Sequence, residues 1–148
     1  YRAVIDASLT TAFAVVRGAA KHLLPSGGST VLISSAAAMT GFSNHEAISA
    51  AKAGVIGLMQ SAAATYAGSK LRFNVVAPGL TETKLTKPLT SHAPSRKVSE
   101  DMHALGRLGR AEDIARAICF FLDPQNDWIT GQVLAVDGGL SRVRPKGH

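Results

Sequence analysis

The stretch TVLISSAAAMTGFSNHEAISAAK (30–52) decides the fold. Its first five residues form a continuous apolar run, rich in β-branched side chains and short for a helix. Such a run fits a strand buried on both faces, as a parallel sheet requires. A small-residue loop follows. Ser43, with Glu46 three places on, has the spacing of a capping box, so a long helix is expected from there to about Ala67. Working outward, residues 2–24 carry Ile5, Leu9, Ala12, Phe13, Val16, Ala20 and Leu23 at three- and four-residue steps, the period of an amphipathic helix. PSGGS (25–29) stops it. LRFNVVA (71–77) reads as a second strand ended by a Pro-Gly turn. RAEDIARAICFFLD (110–123) reads as a third long helix, and GQVLAVDGG (131–139) as a last strand closed by a double glycine. Between them, 81–100 is polar with few signals and is expected to be a mobile loop.

Strands alternating with helices imply an α/β fold of three layers, a Rossmann-like parallel sheet flanked by helices. The 148 residues form a single domain by length, 46% apolar and 18% charged. Three strands make a narrow sheet, so only the C-terminal part of a doubly wound fold is expected here. The longest apolar runs fall short of a membrane span, no signal peptide is read at the start, and no membrane partner is expected. The net charge of +6 is spread along the chain. Only the tail SRVRPKGH (141–148) is dense, and it lacks the aromatics of a stacking platform, so nucleic acid is not expected as a partner. The single cysteine, Cys119, falls in an apolar helical pattern and reads as a small buried hydrophobe. With no disulfide framework possible, a reducing, cytoplasmic location is expected. His22, His92, His103 and His148 lack metal-ligand spacing, and no metal is expected.

VLISSAAAMTGF (31–42), AISAAKAGVIGL (47–58), LRFNVVAPGLTET (71–83), LGRLGRAEDIARAICFFLD (105–123) and WITGQVLAVDGG (128–139) together resemble the C-terminal half of the short-chain dehydrogenase/reductase (SDR) family. They stand for its serine-bearing strand, its YxxxK helix, its strand and PGxxxT loop, and its final helix and strand. The resemblance covers nearly the whole chain and implies NAD or NADP as cofactor and hydride transfer between a small-molecule carbonyl and an alcohol. In that family a tyrosine exchanges a proton with the substrate oxygen, a lysine lowers the tyrosine pKa and bonds the nicotinamide ribose, and a serine orients the substrate. Ser35 and Lys52 match the serine and the lysine. Position 48, where the tyrosine is expected, is Ile, and the family's further asparagine maps onto Ser8. The TGxxxGxG loop that cradles the pyrophosphate has no counterpart, so the glycine-rich half is read as absent from this chain.

Hydride addition builds charge on the substrate oxygen, and an acid or fixed donors must meet it. His45, Ile48 and Lys52 are three and four apart and share one helix face, which makes His45 a candidate proton donor. It also reads as a plain helix-start residue, and Glu46 as the capping partner. Ser35 with His45 lacks the G-x-S-x-G elbow of a hydrolase. Lys52 is a candidate for holding ribose hydroxyls, against a solvent-facing lysine. By resemblance Pro78, Gly79, Thr81 and Thr83 form the cofactor turn, with contacts to the nicotinamide amide and phosphates; the other reading is an ordinary turn. Two functions follow: an SDR-type oxidoreductase seen as a partial chain, or a non-catalytic SDR-like binding or oligomerisation protein. The helices at 2–24 and 44–67 resemble those through which the family forms dimers and tetramers, so a homo-oligomer is expected.

Overall fold

A computed structural model describes residues 1–145. Helix α1, Arg2–Leu23, leads through a glycine turn into β1, Gly28–Ile33. Helix α2, Glu46–Tyr66, returns the chain to β2, Leu71–Pro78. Two short helices, α3 (Lys87–Thr90) and α4 (Ala93–Met102), precede α5 (Ala111–Leu122) and β3 (Val133–Val136). The sheet has the order β1-β2-β3 and is parallel throughout, with Gly28 opposite Leu71, Ile33 opposite Val76 and Val75 opposite Val133.

The period-2 geometry of β2 divides the core. Leu71, Phe73 and Val75 pack with Val55, Met59, Ala62 and Ala63 of α2 and with Val16 of α1. Val76 packs on the opposite face with Ala117 and Phe121 of α5. All of β2 up to Ala77 is buried, as a central parallel strand requires. Fold class and element order are therefore as expected.

Five details correct the sequence reading. Helix α1 contains a π-helical turn, Asp6–Thr10, around Ser8. The capping box at Ser43 does not form: Asn44 takes a left-handed φ of 60° and His45 is the N-cap, which places Ser43 outside the helix. The stretch 81–100 holds two helices, each with proline in its first turn, where a missing N–H costs nothing; Arg96 of α4 pairs with Glu100 in the same helix and with Glu82 ahead of α3. Cys119 is exposed, because Ile114, Ala117, Ile118 and Phe121 form the inward face of α5 and turn position 119 away. Finally, Arg2–Leu23 and Glu46–Ser69 are each long and apolar enough to cross a membrane. Runs of alanine and sparse charge produce that composition, although Val55, Met59, Ala62 and Ala63 of the second helix cover the sheet. His148 and the end of the basic tail lie outside the described residues.

Candidate active site

In an open parallel α/β sheet, ligands bind beyond the carboxyl ends of the strands. At the end of β1, Ser34 is buried and its Oγ donates to the carbonyl of Lys52 at 2.8 Å. This bond fixes the second turn of α2 to the strand end. From there the Lys52 side chain runs to the rim, and its Nζ donates to the carbonyl oxygen of Ile33 at 3.0 Å. Gly28 and Ser34 bond through their N–H groups to the β2 side, so the odd-numbered residues of β1 point to its other edge. The Ile33 carbonyl is one of these, and Lys52 supplies it with a donor. Burial lowers the Lys52 pKa from the usual lysine value. An ammonium has three N–H donors, and one is used.

Ser35 follows directly. It caps the turn Ala36–Ala38, its Oγ accepting from Ala37 N–H at 3.1 Å. The hydroxyl proton is left to donate outward. Ser35 and Lys52 thus share one strand end, the geometry expected from their sequence context. His45 lies at the start of α2, exposed, with Nδ1 against the carbonyl of Ser43 at 2.8 Å and its ring edge-on to Phe42 at 5.6 Å between centroids. Ile48 is half-buried one turn on.

The neighbouring strand ends in Pro78 and Gly79. Gly79 N–H donates to Val136 O at 3.1 Å. A Cβ at Gly79 would lie 2.7 Å from His103 Nε2 and 2.9 Å from Asp137 Cα, so only glycine fits the approach. Thr81 is buried, and its Oγ1 donates to the Gly79 carbonyl at 3.1 Å. Thr83 is exposed and bonded to Thr86. The turn is backed by 103–109, with Gly109 N–H on Leu80 O and Glu82 N–H on Gly109 O, both at 2.9 Å.

Three contributors were not legible as site residues: Ser34, His103 and Asp137. Ser34 shares the even-numbered, buried face of β1 with Thr30 and Leu32, a face that a continuous apolar run does not mark in sequence. His103 and Asp137 act across gaps in sequence that no local pattern reports. Among the described residues, no group of three or more His, Cys, Asp or Glu side chains has the arrangement of a metal site.

Residues 1–141 match the family model described as Enoyl-(Acyl carrier protein) reductase. The cis-4-hydroxycyclohexanecarboxylate dehydrogenase of Sinomonas cyclohexanicum is 40% identical over 144 residues, covering 97% of this chain and 57% of that protein. The 3-oxoacyl-[acyl-carrier-protein] reductase FabG of Thermotoga maritima is 36% identical, covering 93% of this chain and 56% of that protein. The solved structure of ElxO with NADP bound superposes with a TM-score of 0.81 at 32% identity, over 87% of this chain and 53% of that one. The chain spans little more than half the length of these relatives. The two curated relatives are named as a dehydrogenase and a reductase, and they give no support to the non-catalytic alternative. With its parallel sheet, Ser35 and Lys52 at one strand end, and this run of matches, the chain belongs to the short-chain dehydrogenase/reductase family.

Proposed function

We propose that the protein is an NAD- or NADP-dependent oxidoreductase that interconverts a small-molecule carbonyl and alcohol, and that this chain supplies the nicotinamide and substrate end of its site. The observation that carries the reading is the placement of Lys52 Nζ on the Ile33 carbonyl, at the same strand end as Ser35. The donor set fits the group: an ammonium with N–H donors to spare suits ribose hydroxyls, and the glycine turn at Pro78–Gly79 leaves backbone close to the rim. A bound nicotinamide coenzyme would supply or accept the hydride. Ser35 then donates its hydroxyl proton in a hydrogen bond to the substrate oxygen, where charge grows as the hydride arrives. Lys52 binds the ribose, and Gly79, Thr81 and Thr83 lie along the amide and phosphate side. Family members named in the comparison act on a hydroxycyclohexane acid and on 3-oxoacyl carrier-protein substrates, which supports the carbonyl–alcohol class.

Ile48 is assigned to the position of the family's tyrosine, thirteen residues after Ser35 and four before Lys52. Its side chain carries no proton, so the proton must come from another group. His45 is that candidate: with Nδ1 held by Ser43, Nε2 is left to exchange a proton. The groove formed by Ile5, Leu9, Phe13, Gly54 and Leu58 on α1 and α2 supports a homo-oligomer joined through these helices. The lone thiol of Cys119 suits a cytoplasmic setting.

The test is turnover. The natural full-length protein, its Ile48→Tyr and its His45→Ala variants are assayed for NADH and NADPH oxidation against a panel of ketones and 3-oxoacyl thioesters. Turnover by the natural protein that His45→Ala abolishes supports the whole reading, and turnover that survives it removes His45 alone. No turnover by the natural protein or by Ile48→Tyr refutes the oxidoreductase assignment.

A further inference from the structure

We propose that His103 is a positioning residue that locks the turn after Gly79 to helix α4 and so holds the backbone assigned to the coenzyme; this rests on the oxidoreductase reading above. His103 is 4% exposed and stands directly after α4. Leu80 N–H donates to its Nε2 at 3.2 Å, so Nε2 carries no proton. The proton is therefore on Nδ1, which donates to the Ser99 carbonyl in α4 at 2.6 Å. One ring, accepting through Nε2 and donating through Nδ1, joins the turn after Gly79 to α4. It also forms the floor of that turn, since Gly79 approaches so closely that a Cβ would lie 2.7 Å from Nε2.

The surroundings fix the ring further. Gly106 N–H donates to the His103 carbonyl at 2.8 Å, and Leu105 N–H donates to Gly138 O at 3.0 Å. Beyond the ring lies a cavity of about 390 Å³, lined among others by Gly79, Asp137 and Arg107. The Asp137 carboxylate does not compete for the imidazole: its oxygens are taken by Gly139 N–H, Ser141 N–H and Ser141 Oγ. Arg107 is drawn off by Asp113 at 2.7 Å. The ring thereby ties the position of α4 to Leu80 and hence to the backbone proposed to meet the coenzyme.

Glutamine and asparagine divide the two bonds. The amide oxygen of Gln at 103 reaches the place of Nε2 and accepts from Leu80; the amide nitrogen of Asn reaches the place of Nδ1 and donates to Ser99. In the natural full-length protein, His103→Gln and His103→Asn are compared by hydrogen exchange at the Leu80 amide and by coenzyme KM and kcat. Expected is protected Leu80 exchange and near-natural KM in His103→Gln. In His103→Asn, Leu80 exchange should quicken and coenzyme KM rise by about tenfold, kcat changing far less, as loss of one buried bond implies. Equal Leu80 exchange in all three proteins, or a natural KM in His103→Asn, overturns the proposal and leaves the oxidoreductase reading intact. A natural protein that binds no coenzyme overturns both.

Discussion

Replacing Arg72 tests how β2, the strand that ends in the Pro78–Gly79 turn, is fastened to α5. Arg72 is 8% exposed, with no carboxylate partner among the described residues. Its guanidinium donates to Phe121 O at 3.0 Å, Ile129 O at 3.1 Å and Asp123 O at 3.1 Å. The planar fork thereby meets the negative end of the α5 dipole and carbonyls that the helix leaves without partners. Deleting the charge strands no counter-ion, and it orphans no carbonyl. Phe121 O keeps Ser29 Oγ, Ile129 O keeps Asn74 Nδ2, and Asp123 O keeps Asn126 N–H. Arg72→Met should therefore cost less than breaking a buried ion pair, about 2 kcal/mol after methionine packing offsets part of the loss. Arg72→Lys should cost more than Arg72→Met, because a buried ammonium remains and cannot span the three acceptors. Urea unfolding at neutral pH reads both. For a chain of this length the Met variant should melt about 6 °C lower. Lysine as stable as arginine, or methionine with no loss, would refute the fork as the fastening.

Other substitutions follow from single observations. The Thr30 hydroxyl is buried without a partner, so Thr30→Val should stabilise by about 1 kcal/mol in calorimetry; a lower melting temperature would count against it. Gly79→Ala should cost about 1–3 kcal/mol and weaken coenzyme binding, because the new methyl meets Asp137 backbone that cannot swing aside. Unchanged binding by titration would show that the turn has slack. The Asp113 carboxyl is held at about 2, chiefly by its bond from Arg107, then by Arg110 N–H. A lowered carboxyl pKa gives stability that is present above the ordinary value of 3.8 and lost as pH falls through about 2. Urea midpoints of the natural protein and Asp113→Asn should therefore converge between pH 4 and pH 2, and a constant gap would contradict this.

The sequence made the frame legible where burial dictates residue type. TVLI and LRFNVVA carry apolar residues on both faces because helices cover both sides of the sheet, and α2 and α5 carry apolar side chains at helical spacing. Ser35 and Lys52 were singled out by resemblance to the family's serine and lysine, and the bond from Ser34 Oγ to the Lys52 carbonyl sets them at one strand end. What failed depends on long-range or backbone events. Cys119 sits among apolar neighbours in sequence but on the outer face of α5. The Ser43 capping signature was cancelled by one left-handed residue, Asn44. Helices α3 and α4 bury little, so hydrophobic periodicity is weak there, although Pro88 and Pro94 marked their starts. His103 bonds Leu80 across 23 positions, a distance over which local pattern says nothing.

The most direct measurement is equilibrium titration of the natural full-length protein and its Lys52→Met variant with NADPH and NADH, followed by coenzyme fluorescence. Lys52 held at the strand rim beside Ser35 predicts saturable binding of one coenzyme by the natural protein, weakened at least about tenfold in Lys52→Met by loss of charged hydrogen bonds. Equal affinity in the two proteins, or no binding by either, would contradict the placement of the nicotinamide ribose at this rim.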